Sequence, residues 1–81
     1  MSAADDLLAG MMRSKHGWGE KDFDKLYRGF GFTARMGEKH NVYLHPRFRE
    51  LRATVSRQRA LPAGYAQHAI KCILRLKELG G

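Results

Sequence analysis

An 81-residue chain has room for one small domain with a single modest core, and at 43% hydrophobic and 28% charged residues it is too apolar to stay disordered and too polar to live in a bilayer. Its net charge of +7 is unevenly spread: residues 1–24 carry three cations against five acids, whereas from Lys25 onward twelve Lys and Arg face only Glu38, Glu50 and Glu78. That excess is more than solubility needs and attracts polyanions, nucleic acid first.

Residues 1–20 read as an N-terminal extension, in which Ser2 or Asp5 caps a short helix carrying Leu7, Leu8, Met11 and Met12, broken by Gly17 and Gly19. The apolar run around Leu7 to Met12 falls far short of the roughly 20 residues that span a membrane, and no basic segment precedes it as in a signal peptide. A cytoplasmic location is therefore expected. An anionic membrane is a poorer partner than RNA or DNA, because no segment joins a basic face to a bulky apolar one.

Residues 21–79 read as the domain itself. From Glu20, Phe23, Leu26, Tyr27 and Phe30 recur at i, i+3, i+4 and i+7, one helical face behind an acidic first turn, with Gly29 and Gly31 as the stop. Phe32 to Met36 alternates as a half-buried strand, Phe32, Ala34 and Met36 on one side and Thr33 and Arg35 on the other. Gly37, Glu38 and Lys39 form a tight turn. Asn41 to His45 is a second strand closed by Pro46, and Leu51 to Ser56 a third, with Leu51, Ala53 and Val55 pointing one way. The polar stretch 57–64 leads into a last helix whose buried stripe is Ala66, Ala69, Ile70, Ile73, Leu76 and Leu79. The expectation is an α+β domain of order α-β-β-β-α: a three-stranded antiparallel meander with two helices on one face.

The segment GEKHNVYLHP, Gly37 to Pro46, sets a histidine in a glycine-led turn that runs directly into an apolar strand, within the basic part of the chain. A histidine there can reach a ligand from a rigid base. Strict alternation places His40 on the side of Val42 and Leu44, which buries it if the strand begins at His40, so a functional role requires it to sit in the turn. No metal site is expected: histidines 16, 40, 45 and 68 share no i, i+4 pairing, and Cys72, the single cysteine, has no partner at zinc spacing. Cys72 falls at a core position and His68 on the outer face of the last helix, where a surface contact is expected.

The runs FDKLYRGFGF, KHNVYLHP and ATVSRQRALPAGYAQHAIKCIL, within Phe23 to Leu76, resemble the HicA-type (YcfA-like) mRNA interferase toxins over about two thirds of the chain. The matching positions are Gly31 and Phe32 after the first helix, His40 and the strand closing in His45-Pro46, Thr54 and Val55 in the third strand, and Leu61, Pro62, Gly64 and Tyr65 leading into the last helix. The resemblance implies a fold like that of double-stranded-RNA-binding domains, cleavage of mRNA with His40 as the catalytic histidine, no cofactor, and neutralisation by a HicB-like antitoxin. The chain departs from the pattern at the turn, where Glu38 replaces the glycine and Lys39 the small residue.

Ribonucleases that work without metal let the 2′-OH attack the neighbouring phosphodiester, which calls for a base that titrates near neutral pH and cations where charge builds on phosphate. His40 fits the base. Lys39 and Arg35 are candidate electrostatic partners, and Arg47, Arg49, Arg52, Arg57 and Arg59 candidate contacts to the phosphate backbone rather than to bases. The general acid has no clear candidate; His45 qualifies on position alone. Two further readings stand beside the endoribonuclease toxin: a catalytically inactive RNA-binding module of the same fold, and a protein-interaction subunit whose basic face meets an acidic partner.

Overall fold

In the computed structural model, which describes residues 2–80, the chain starts with a capping box. The Ser2 hydroxyl accepts from the Asp5 N–H at 3.2 Å, and the Asp5 carboxylate accepts from the Ser2 N–H at 3.3 Å. These bonds satisfy the otherwise orphaned donors that open helix α1, Ala3–Arg13, and donation from the Ser2 hydroxyl at 2.9 Å, together with the Ser2 N–H, holds the Asp5 carboxyl below its ordinary value.

Helix α2, Glu20–Gly29, begins where the Asp22 carboxylate accepts from the Gly19 N–H at 2.9 Å. It ends in a Schellman motif: the Phe32 N–H donates to the Tyr27 carbonyl and the Gly31 N–H to the Arg28 carbonyl, with Gly31 at φ +90. The hydrophobic contact that accompanies such an end is present, the Tyr27 and Phe32 rings meeting edge to face at 5.1 Å. Gly31 is therefore the stop. Gly29 has a different duty, because a Cβ there would collide with that of Ala4, and this bare position lets α1 lie against α2.

Three strands follow, β1 Thr33–Met36, β2 His40–Leu44 and β3 Arg52–Ser56, antiparallel and in the order β1-β2-β3. Helix α3, Ala63–Glu78, completes the chain. The expected α-β-β-β-α order is present in α2 to α3, with α1 as a third helix. Tyr43 stands opposite Ala34 on one side and Ala53 on the other, and Asn41 opposite Met36 and Val55, so these positions share the face covered by the helices. Against them pack Phe23, Leu26 and Tyr27 of α2 and Ala66, Ala69, Ile73 and Leu76 of α3. Leu8 and Met11 of α1 lie in the same core, so residues 2–20 and 21–79 pack as one unit. Burying the larger of these side chains, such as Phe23, Leu26, Ile73 and Leu76, contributes about 1.5–3 kcal/mol each.

The second face of the sheet is open. It carries Thr33 and Arg35 of β1, His40, Val42 and Leu44 of β2, and Arg52, Thr54 and Ser56 of β3. The expected alternation along β2 is reversed: Asn41 and Tyr43 are buried, while Val42 and Leu44 are only half-buried. Hydrophobicity alone favours Val-Leu over Asn-Tyr as the core pair, but the Asn41 amide nitrogen and the Tyr43 hydroxyl find acceptors on α2, while Asn41 Oδ1 is buried without a partner among the described residues. Among the described residues no helix is long and apolar enough to cross a membrane.

Candidate active site at the start of the second strand

His40 is the first residue of β2 and is exposed. The expectation that a histidine beginning this strand would be buried is corrected by the open face just described. The turn before it is tight. The Gly37 N–H donates to the His40 carbonyl at 3.0 Å, and a Cβ on residue 37 would stand 2.6 Å from that oxygen, which is why glycine occupies this place. The Lys39 carbonyl accepts from the Arg57 N–H at 3.0 Å, fastening the turn to the end of β3.

Arg57 then reaches across with its side chain. Its Nη1 donates to the Gly37 carbonyl at 2.8 Å and its Nε to the Glu20 carboxylate at 2.9 Å. The same Glu20 oxygen accepts from the Asn41 amide at 2.7 Å. One turn further along α2, Asp24 accepts from the Tyr43 hydroxyl at 2.8 Å and from Arg28 Nε at 2.9 Å. Acids at i and i+4 on α2 thus receive residues at i and i+2 on β2, since both spacings place side chains on one face. Burial, and donation to Asp24, raise the Tyr43 hydroxyl well above its ordinary value, so it stays protonated. The strand is bolted to the helix on its inner side, and His40 is held on the outer.

The hollow around His40 is lined by Glu38, Lys39, Ser56, Arg57 and Gln58, with Ser56 directly opposite His40 on β3. Of the anticipated phosphate contacts, Lys39 and Arg57 lie in this hollow, although two guanidinium nitrogens of Arg57 are already spent on the turn. Arg35 and Arg52 share the open face with His40. Arg59 lines an adjoining cleft with Lys21 and Lys25. Arg47 and Arg49 sit in the loop after β2, beyond Leu44, which at roughly 3.4 Å per residue lies about 14 Å along the strand from His40, and Arg47 is stacked over the Phe48 ring at 5.1 Å. The seven basic residues are therefore spread out: Lys39, Arg57 and Arg59 lie at the His40 end of the sheet, Arg47, Arg49 and Arg52 at the other, and Arg35 opposite Val42 between them.

His45 does not join His40. It is buried at the far end of the strand, edge-on to Phe32 at 5.1 Å, and its Nδ1 accepts from the Arg47 N–H at 3.1 Å. Its role is to brace the loop, and it is removed as a general acid. His16 is exposed in its glycine-flanked loop. His68 is exposed on the outer face of α3 and Cys72 is in the core, as expected, and four residues apart they meet: His68 Nε2 lies 3.4 Å from Cys72 Sγ and 3.0 Å from the Arg52 carbonyl. They tie α3 to the free edge of β3. Burial raises the Cys72 thiol, so it stays protonated and unreactive. Among the described residues no group of three or more His, Cys, Asp or Glu side chains is placed to hold a metal ion.

Lys21, Lys25, Ser56 and Gln58 were not anticipated. The i, i+4 spacing of the two lysines and their place off the apolar stripe of α2 mark them as one exposed face, but which part of the chain they would adjoin depends on tertiary packing. Compared with known proteins, the chain matches no family model, no curated protein and no solved structure.

Proposed function

We propose that this chain is a metal-independent endoribonuclease of the HicA kind, a cytoplasmic toxin that cleaves mRNA and is silenced by a HicB-like antitoxin covering His40 and the basic surface around it. The observation that carries this reading is His40 itself, exposed beside Lys39 in a hollow whose walls are fixed by Arg57 and Glu20. His40 takes the proton of a 2′-OH, the 2′-oxygen attacks the adjacent phosphorus, and the bond to the 5′-oxygen breaks, leaving a 2′,3′-cyclic phosphate. Lys39 offsets the charge that accumulates on the phosphoryl oxygens. The departing 5′-oxygen takes its proton from water in this open hollow.

Induced expression in a bacterial host tests the toxin reading: the wild type arrests growth, His40→Ala does not, and co-expression of the neighbouring antitoxin gene restores growth. Equal arrest by His40→Ala removes His40 as the base. One observation favours a non-catalytic RNA-binding module as the second reading. Among the described residues His40 is the only imidazole lining the hollow, His45 being turned into the core, so a pair of histidines sharing the two proton transfers is not assembled.

A further inference from the structure

The hollow around His40 is not isolated. A second, larger cleft lies between the start of α2 and the segment after β3, and the two share Arg57 and Gln58 as common walls. It exists because the backbone of 18–20 runs alongside that of 58–61: Glu20 N–H donates to the Gln58 carbonyl at 2.9 Å and Leu61 N–H to the Trp18 carbonyl at 2.8 Å. The approach is close enough that a Cβ on Gly19 would collide with the Arg59 carbonyl.

The charge in this cleft is one-sided in effect, though not in composition. Its two acids are engaged within the protein, Glu20 by Arg57 and Asn41, and Asp22 by the Gly19 N–H. Its remaining cations, Lys21, Lys25 and Arg59, are exposed, and among the described residues none of them is in a salt bridge. Lys21 and Lys25 stand one helical turn apart on the same face of α2.

We infer that the two hollows form one groove for a single strand of RNA, in which the strand's phosphates leave His40, pass Arg57 and Gln58, and are held by Lys21, Lys25 and Arg59. This rests on the ribonuclease reading, and it gives α2 a part in substrate binding that the sequence pattern did not assign. Cations that hold phosphates contribute to affinity through counterion release, so each one leaves a measurable mark on the salt dependence of binding.

The test uses the His40→Ala protein, which leaves the probe intact, and a fluorescein-labelled oligouridine read by anisotropy over a range of salt concentrations. Adding Lys21→Ala and Lys25→Ala is expected to lower the slope of log affinity against log salt by about 1.4, some 0.7 for each phosphate contact on a single strand. Lys71→Ala with Lys77→Ala on α3 removes the same charge outside both hollows and is expected to leave the slope unchanged. Lys21→Arg with Lys25→Arg is expected to restore it. RNA binding with equal slopes in the α2 and α3 variants overturns the groove and leaves the ribonuclease reading standing. Absence of RNA binding by the His40→Ala parent at any salt overturns both.

Discussion

Arg57 and Gly37 are joined across the end of the sheet, the guanidinium Nη1 donating to the glycine carbonyl at 2.8 Å while Nε holds Glu20 at 2.9 Å. The residue that sequence patterning assigned to RNA is the one that fixes the turn bearing Lys39 and His40. Arg57→Ala is expected to cost about 1 kcal/mol in urea denaturation, the pair being partly exposed, and to reduce RNA cleavage by more than tenfold. Faster hydrogen exchange at the Gly37 amide would locate the loss in the turn. An unchanged exchange rate would contradict the clamp.

Gly37 tolerates no side chain. Gly37→Ala places a Cβ 2.6 Å from the His40 carbonyl, so the turn must shift and carry His40 with it. The expected outcome is a loss of about 1–2 kcal/mol of stability, in the range of overpacked sites, with near-complete loss of cleavage and RNA affinity reduced less than threefold. Intact cleavage in this variant would show that the turn geometry is not limiting.

Gly29 and Ala4 make the contact that seats α1. Gly29→Ala is expected to destabilise the protein by about 1–3 kcal/mol, and Ala4→Gly in the same chain to recover part of that loss, since it removes the colliding Cβ. A double-mutant cycle by thermal denaturation measures the coupling. Additive effects would mean that α1 is not held through this pair.

The alkaline limit of stability should come from two phenols. Burial raises both Tyr27 and Tyr43 well above their ordinary value, with donation to Asp24 adding to the effect at Tyr43. The unfolded chain loses these protons first, near pH 10. Their contribution is therefore fully present below about pH 10 and is lost as the pH climbs toward the higher values of the folded protein. Urea midpoints measured on either side of pH 10 should fall steeply only above it, and Tyr43→Phe should flatten that fall at a cost of about 1 kcal/mol at neutral pH.

Much of this architecture is legible in the sequence because it rests on local rules. The 3.6 period of Phe23, Leu26 and Tyr27, the alternation of Leu51, Ala53 and Val55, and the glycines at 31 and 37 each encode their element in neighbouring residues. What escaped is what depends on distant ones. Asn41 and Tyr43 read as the outer face of β2 until Glu20 and Asp24 are placed above them, and with that reversal His40 moves from the core to the surface. Gly29 reads as a helix stop until Ala4 is seen against it. Arg57 reads as a free cation, and Lys21 and Lys25 as unremarkable surface, until the start of α2 is laid beside the segment after β3. The histidine was visible as a candidate; the hollow that surrounds it was not.

Incubating the purified protein and its His40→Ala variant with end-labelled RNA in EDTA tests whether His40 is the base of a ribonuclease. Fragments ending in 2′,3′-cyclic phosphate are expected from the wild type and none from the variant. Binding without cleavage by either protein, or equal cleavage by both, would contradict that role.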